Sequence, residues 1–416
     1  MKWGNLSQSG GYSPQIPHSF YMNDKETCQV ASIVLNTFTR DSRVEKEAES
    51  LSLAGYPVTV VALASKSLPK SETKNGYCVR RVDVWTKVLG KSFLAQAIKL
   101  VEFTIKVAWI IRKCGFIHCH DYHPLPAVFL SRTLFCSQAS VIYDAHEFER
   151  CKNGASLLMR KIISIIEKVS RIFINQVITV SPLIAKEYQE IFDPLPVEVI
   201  LNCPRLNEHR RTNLLASKLG IASDKTIILY QGAFMPGRGI EQMMEAFMDD
   251  SSSYALVLMG YASISQEGKD LENKIRDLND DVRNSIYFMP SVPSNELLQY
   301  TASADIGFCI IEDLCLSYRL CLPNKFFEFA MAGLPIVVSD LPELRRLVLQ
   351  YDCGVVCPDL SPVGIHASIE ELLGKDLVRI QANSRKMAED HCWEQQEKKL
   401  VDLYERLIPT VIARQD

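Results

Sequence analysis

No run of about 18 apolar residues occurs in the sequence, so no helix is expected to cross a bilayer. The opening stretch, MKWGNLSQSGGYSPQIPHSFY, has no apolar core, and a secretory signal peptide is not expected. CxxC is missing as well. The 13 cysteines are odd in number, and their closest spacings (Cys114 to Cys119, Cys309 to Cys315 to Cys321, Cys353 to Cys357) fit no zinc pattern. They read as free thiols of a reducing compartment, so a cytoplasmic chain is expected. Neither sign of charge dominates: 46 Lys and Arg face 49 Asp and Glu, a net of −3, which gives no global drive toward nucleic acid. Internal repeats of roughly 20–50 residues and low-complexity tracts are also missing.

What is present is ordinary globular composition, 47% apolar and 23% charged, over 416 residues. That is too long for one core and enough for two α/β domains. Residues 1–27, rich in Ser, Gly, Pro and Asn, read as a loose leader. From Cys28 a strand, helix, strand rhythm begins: CQVASIVL, a helical stretch from Val44 to Ala54 ended by Gly55, then VTVVALA. FIHC, ASVIYD, QVITVS and VEVIL continue it. The chain turns polar and basic between Asn202 and Ser223. A second series follows: TIILYQG, a helix from Ile240 to Phe247, then YALVLMG, SIYFM, ADIGFCI and PIVVS. This order implies parallel sheets with right-handed crossovers. The expected fold is therefore α/β, with two doubly wound, Rossmann-like parallel-sheet domains over residues 28–205 and 206–390. They should face an interdomain cleft, and a charged amphipathic helix should close the chain over residues 391–416. In such sheets ligands sit beyond the carboxyl ends of the strands.

Three clusters lie at such ends. GAFMPGRGIEQMMEAF puts Gly237, Arg238 and Gly239 between a strand and a helix, where glycines permit close backbone approach and a helix start attracts anions. LPNKFFEFAMAGLPIVVSD puts Lys325 in a first helical turn, against the helix dipole, a conflict that a bound anion would remove; Glu328 lies one turn on, on the same face. HCHDYHP and YDAHE bring four of the eight histidines within 29 residues. His118 and His120 are expected to face opposite sides of their strand end, which argues against one shared metal, and His118 reads as a core histidine. In the stretch Lys91 to Lys113 the charges Lys99, Glu102, Lys106 and Lys113 form a narrow polar stripe on an otherwise apolar helix. It suits either a buried helix or an interfacial membrane helix, and Leu157 to Phe173 is of the same kind.

Taken together from about Cys28 to Leu407, these motifs resemble the retaining GT-B glycosyltransferases of the bacterial family 4 group (glycosyl transferases group 1), and best its PNKxFE-type subgroup. DSRVEKEAESLSLAGYPVTVVA, VITVSPLIAKEY, YQGAFMPGRGIEQMMEAF, VPSNELLQYTASADIGF and PNKFFEFAMAGLPIVVSD carry the resemblance. It implies an acceptor domain first, a nucleotide-sugar domain second, and a Trp393–Glu394 helix that crosses back onto the first. By the same resemblance Arg238, Lys325 and His146 are the catalytic set. Gly232, Gly237, Gly239, Gly260, Val292, Pro293, Asn324 and Glu328 would hold the donor, and Arg43, His120, Asp121 and Glu147 would face the acceptor. No metal and no cofactor is implied beyond the nucleotide-diphosphate sugar, of UDP or GDP type. The first Glu of the family's Glu-x7-Glu motif falls at Leu320, a trait of the subgroup, and its usual Arg falls at Ala233.

The implied function is transfer of a sugar, with retention, to a glycan or lipid-linked acceptor in cell-surface polysaccharide or lipopolysaccharide synthesis. Peripheral contact with the cytoplasmic face of a membrane, through Lys91–Lys113 and Leu157–Phe173, goes with it. A catalytically silent nucleotide-sugar-binding partner subunit and a GT-B-fold nucleotide-sugar epimerase are the alternatives.

Overall fold

The computed structural model describes residues 28–415 apart from 40, 91, 209–210, 249–252, 263–264 and 279–284. The leader 1–27, Lys91 and residue 416 therefore lie outside the described residues. Two sheets organise the chain. The first comprises β1 (Val30–Ile33), β2 (Val58–Leu63), β3 (Ser71–Lys74), β4 (Tyr77–Val82), β5 (Phe116–His120), β6 (Ser140–Ala145), β7 (Gln176–Thr179) and β8 (Val197–Val199). Its order is β3-β4-β2-β1-β5-β6-β7-β8, parallel except for the β3–β4 hairpin. Its helices are α1 (Ser42–Leu53), α2 (Phe93–Ile111), α3 (Leu125–Phe135), α4 (Leu157–Ser170) and α5 (Pro182–Phe192).

After α6 (Leu214–Leu219) the second sheet begins. It comprises β9 (Thr226–Phe234), β10 (Tyr254–Ala262), β11 (Ile286–Pro290), β12 (Ile306–Cys309), β13 (Ile336–Ser339) and β14 (Gly354–Cys357). The order β11-β10-β9-β12-β13-β14 is parallel throughout and reverses between β9 and β12. That is the doubly wound pattern, whose ligand crevice opens at the reversal. The helices are α7 (Ile240–Phe247), α8 (Gln266–Arg276), α9 (Ser294–Thr301), α10 (Leu316–Arg319), α11 (Asn324–Met331), α12 (Pro342–Tyr351), α13 (Pro362–Leu373) and α14 (Leu377–Asp390).

The last helix, α15 (Trp393–Gln415), returns to the first domain. Leu400, Leu403, Tyr404, Ile408 and Val411 are buried in one cluster with Val30, Val44 and Phe116. The Trp393 indole, fully buried, donates to Ser50 Oγ at 2.9 Å. The domains also meet at α5, where Ser181 Oγ donates to the Leu320 carbonyl at 2.7 Å and the Leu183 N–H to Glu343 at 2.9 Å.

Two elements escape the sequence rhythm. The β3–β4 hairpin turns at Asn75 and Gly76, both at positive φ (46° and 85°), as a tight hairpin turn requires. Its outer strand SETK is polar because it forms an open edge. Strand β14 is short and follows directly on α12. The helix α2 departs from the fully buried reading of its stretch. One face, Phe103, Val107, Ala108 and Ile111, is buried; the other, Leu94, Ile98, Val101, Ile105 and Trp109, is exposed and also apolar. The polar stripe turns inward on the neighbouring loop: Glu102 accepts the N–H groups of Trp85 and Thr86, and Lys106 bonds the Asp83 carbonyl. Among the described residues no helix is long and apolar enough to cross a membrane.

Truncating the indole that ties α15 to α1 leaves a cavity and removes its bond to Ser50, whose hydroxyl keeps Glu397 as acceptor at 2.6 Å. Trp393→Ala is expected to destabilise the first domain by about 3–5 kcal/mol, read as an earlier transition of that domain in denaturant.

Candidate active site

The second domain brings two cationic side chains near one another past the carboxyl ends of its strands, Arg238 after β9 and Lys325 after β12. Strand β9 ends in a turn where Gly237 (φ 81°) and Gly239 (φ 67°) adopt left-handed backbone. A Cβ on Gly239 would lie 2.2 Å from Ile310, so the tight path needs glycine. Between them Arg238 lays its guanidinium over the Tyr318 ring at 4.6 Å and has no carboxylate within ion-pair distance among the described residues. The helices that start here, α7 and α11, carry no side-chain cap, and a helix start attracts anions.

Lys325 is the decisive residue. It sits in the first turn of α11, 7% exposed, with its Nζ 3.7 Å from the Tyr230 ring centroid and no hydrogen-bond partner. Burial, with the Arg238 charge acting in the same direction, lowers its pKa to about 7. One turn on, Glu328 accepts from Gln231 Nε2 at 2.5 Å, and Gln231 Oε1 in turn accepts from Thr301 Oγ1 at 2.8 Å. Gly232 and Gly260 pair across β9 and β10, so close that a Cβ on Gly260 would meet the Gly232 carbonyl oxygen at 1.9 Å. Val292 and Pro293 follow β11, beside Gly260, whose carbonyl accepts the Ser291 N–H at 2.8 Å. Asn324 opens α11 and is exposed. The structure thus gathers all the donor-side candidates along one sheet edge.

The first domain presents a charge-balanced network at the ends of β5 and β6. Asp144, fully buried, takes a bidentate pair of bonds from Arg43 at 2.8 and 2.9 Å. Its Oδ2 lies 3.2 Å from His120 Nδ1 and 3.1 Å from His146 Nε2. Asp121, at positive φ (58°), accepts the His146 N–H at 3.2 Å. Burial lowers the His146 pKa, but Asp121 and Asp144 more than offset this and push it up to about 10, so the imidazole is cationic at neutral pH. Glu147, half-buried, faces the second domain with Ser317 Oγ within 3.5 Å of its Oε2.

Three expectations need correction. Arg43 and His120, only 2% and 3% exposed, lie beneath the cleft rather than facing an acceptor. Arg43 is committed to Asp144 and to the Ile200 carbonyl, and His120 to Ser32 and Asp144. His118 and His120 share one face, with rings stacked at 4.4 Å, because residues two apart on a strand point the same way. Together with Glu47 and Asp144 they set four buried donor atoms within 4.8 Å of one another, a metal-like grouping. Arg43, bonded to Asp144 and 3.1 Å from Glu47, already supplies the counter-charge there, and a second cation would face it unscreened. His118 Nδ1 is bonded to Tyr404 of α15 at 2.8 Å, as a core histidine.

Sequence reasoning missed Asp144, Glu47 and Gln231, although YDAHE and YQG carry two of them, and Lys46, whose Nζ bonds Asn202 and the Cys203 carbonyl beneath Trp393. Leu320 gains a reason. Its side chain packs into the first domain's cluster and its carbonyl bonds Ser181, so position 320 serves the domain junction.

Residues 225–375 match the family described as Glycosyl transferases group 1. Sucrose-phosphate synthase from Thermosynechococcus elongatus is similar over 92% of this chain and 99% of its own, with a TM-score of 0.76 at 17% identity. The fold is GT-B. HepE from Anabaena in complex with UDP-glucose gives a TM-score of 0.68 at 14% identity, over 91% of this chain and all of its own (100%). The catalytic domain of starch synthase IV from Arabidopsis thaliana, bound to ADP and acarbose, gives 0.70 at 13% identity over 92% of this chain and 100% of its own. The comparison with curated proteins finds no match. In GT-B terms the unpaired cations lie on the second domain and the His146 network on the first.

The depressed pKa of Lys325 fixes a pH dependence. In the free protein its ammonium costs stability, fully below about pH 7, and the cost fades as pH rises toward the ordinary lysine value of about 10.4. A bound diphosphate raises the pKa again. UDP or GDP affinity is therefore expected to be greatest below about pH 7 and to fall by up to about tenfold per unit above it, with proton uptake in calorimetry. Lys325→Met should remove both effects.

Proposed function

We propose that the protein transfers a sugar from a nucleoside-diphosphate sugar, of UDP or GDP type, to a glycan or lipid-linked acceptor with retention of configuration. The observation that carries the reading is the buried ammonium of Lys325, unpartnered beside Arg238 at two uncapped helix starts. A diphosphate supplies the negative charge and the acceptor lone pairs that this site lacks. Glu328, held by Gln231 and Thr301, suits a pair of vicinal hydroxyls such as those of ribose. Backbone at Val292 and Pro293 suits the base.

In this mechanism the bond from the anomeric carbon to the diphosphate breaks as Lys325 and Arg238 neutralise the leaving oxygen. The acceptor hydroxyl attacks from the same face, and its proton passes to that leaving oxygen. His146 is already protonated at neutral pH, so it is no base for the attack; it donates to a sugar hydroxyl instead. The leaving phosphate is left as the base. Closure of the two domains would exclude water from the donor.

A membrane-linked acceptor fits the outer surface of the first domain. Leu94, Ile98, Val101, Ile105 and Trp109 on α2, and Leu157, Leu158, Ile165 and Val169 on α4, are exposed. Residues 93–113, 125–135 and 157–173 carry nine Lys or Arg and two Glu. An apolar face with basic residues suits peripheral contact with an anionic leaflet. Synthesis of a cell-surface polysaccharide or lipopolysaccharide is the role this implies.

With donor and acceptor supplied, product spectra by proton NMR are expected to show the anomeric configuration of the donor. Lys325→Ala and Arg238→Ala should each lower kcat by roughly 10²–10³-fold. An inverted product would refute retention. Interconversion of the nucleotide sugar without acceptor would favour an epimerase.

A further inference from the structure

A separate pocket lies at the opposite edge of the first sheet from the cleft. It sits where the chain enters β6 and β7, has a volume of roughly 400 Å³ and is lined by Arg132, Arg414, Gln138, Asn175, Ile172 and Phe173 among others. That volume is in the range of small-molecule sites. No acidic residue lines it.

Its charge is uncompensated. Arg132 is fixed by the carbonyls of Ser137 and Ala139 and leaves its buried Nε–H without an acceptor. Arg414, in the last turn of α15, is exposed and has no ion-pair partner among the described residues. The two guanidiniums are near enough that Arg414 adds to the effect of burial in lowering the Arg132 pKa. Asn175 accepts the Val141 N–H through Oδ1, which leaves its amide NH₂ as a further donor at the wall.

The pocket is continuous with the apolar surface of the first domain. Phe173 packs edge-on against Phe129 at 5.6 Å, and Phe135 against Trp109 at 5.4 Å. Ile172, Leu134 and Trp109 stand exposed along this path, at 76%, 64% and 55%. A free anion needs no such flank, whereas a lipid brings a charged phosphate and apolar chains together.

We propose that the Arg132–Arg414 pocket binds the phosphate of an anionic membrane-lipid headgroup and so fixes how the first domain sits on the membrane. This rests on the membrane contact argued under the proposed function, and the test separates the two. The full chain is floated with vesicles of phosphatidylcholine alone and of phosphatidylcholine with phosphatidylglycerol, as wild type, Arg414→Gln, Arg414→Lys, Lys168→Gln and Trp109→Ser. Arg414 and Lys168 are exposed, so their variants fold.

Any single surface charge is worth about fivefold in partitioning, and Lys168→Gln should lose no more than that. Arg414→Gln is expected to lose clearly more on the anionic vesicles and nothing on phosphatidylcholine. Arg414→Lys should not restore binding, because a lysine keeps the charge but not the planar fork. Trp109→Ser should weaken binding to both vesicles. Equal losses in Arg414→Gln and Lys168→Gln would overturn the pocket while leaving the membrane contact standing. Wild type bound to neither vesicle would overturn both. If inorganic phosphate raises the melting temperature of wild type but not of Arg414→Gln, and Arg414→Gln still matches Lys168→Gln on vesicles, the site is for a free anion and the lipid assignment falls.

Discussion

A buried ammonium group with no counter-ion is among the most expensive things a protein can contain. Lys325 is such a group, and much of the second domain is arranged around it. The Tyr230 ring beneath it and the Tyr318 ring beneath Arg238 offset part of the cost through their electron-rich faces. The left-handed glycines at 237 and 239 draw the β9–α7 turn in so that Arg238 reaches the same crevice. The uncapped starts of α7 and α11 add further positive potential. None of these features stabilises the free protein well. All of them act together once an anion with several acceptor oxygens is bound.

The first domain answers with the opposite design. Asp144 is enclosed by Arg43, His120 and His146, and the charges there balance within the domain. The network fixes the orientation and protonation of His146, the only member of that trio that reaches the cleft surface. Tyr404 and Trp393 of α15 lock this arrangement from behind, so the helix that returns from the second domain supports the first domain's site. Leu320 belongs to the same logic. At the position where the resemblance expects a glutamate, this chain has an apolar residue packed at the domain junction.

The sequence was most legible where physics is local. The β-α-β rhythm, the helix from Ile240 to Phe247 and the Gly55 stop at α1 each follow from patterning or backbone freedom over a few residues. Lys325 against its helix dipole was visible as a conflict before any contact was known. Less legible were features set by distant partners. Arg43, which the resemblance put toward the acceptor, is instead buried against Asp144, 101 residues on, a partner that local patterning does not reveal. Strand β3 was hidden by its polarity, which belongs to an edge. The apolar outer face of α2 could not be told from a buried one by periodicity, since both give the same pattern.

The most direct test of the central claim is calorimetry of wild type and Lys325→Met with UDP and GDP, each set against the bare nucleoside. If the buried ammonium waits for a diphosphate, the substitution lowers affinity for the matching diphosphate by about 10–100-fold and leaves the nucleoside unaffected. Equal diphosphate affinity in the two proteins would contradict the account, because the charge that organises the second domain would then be serving something else.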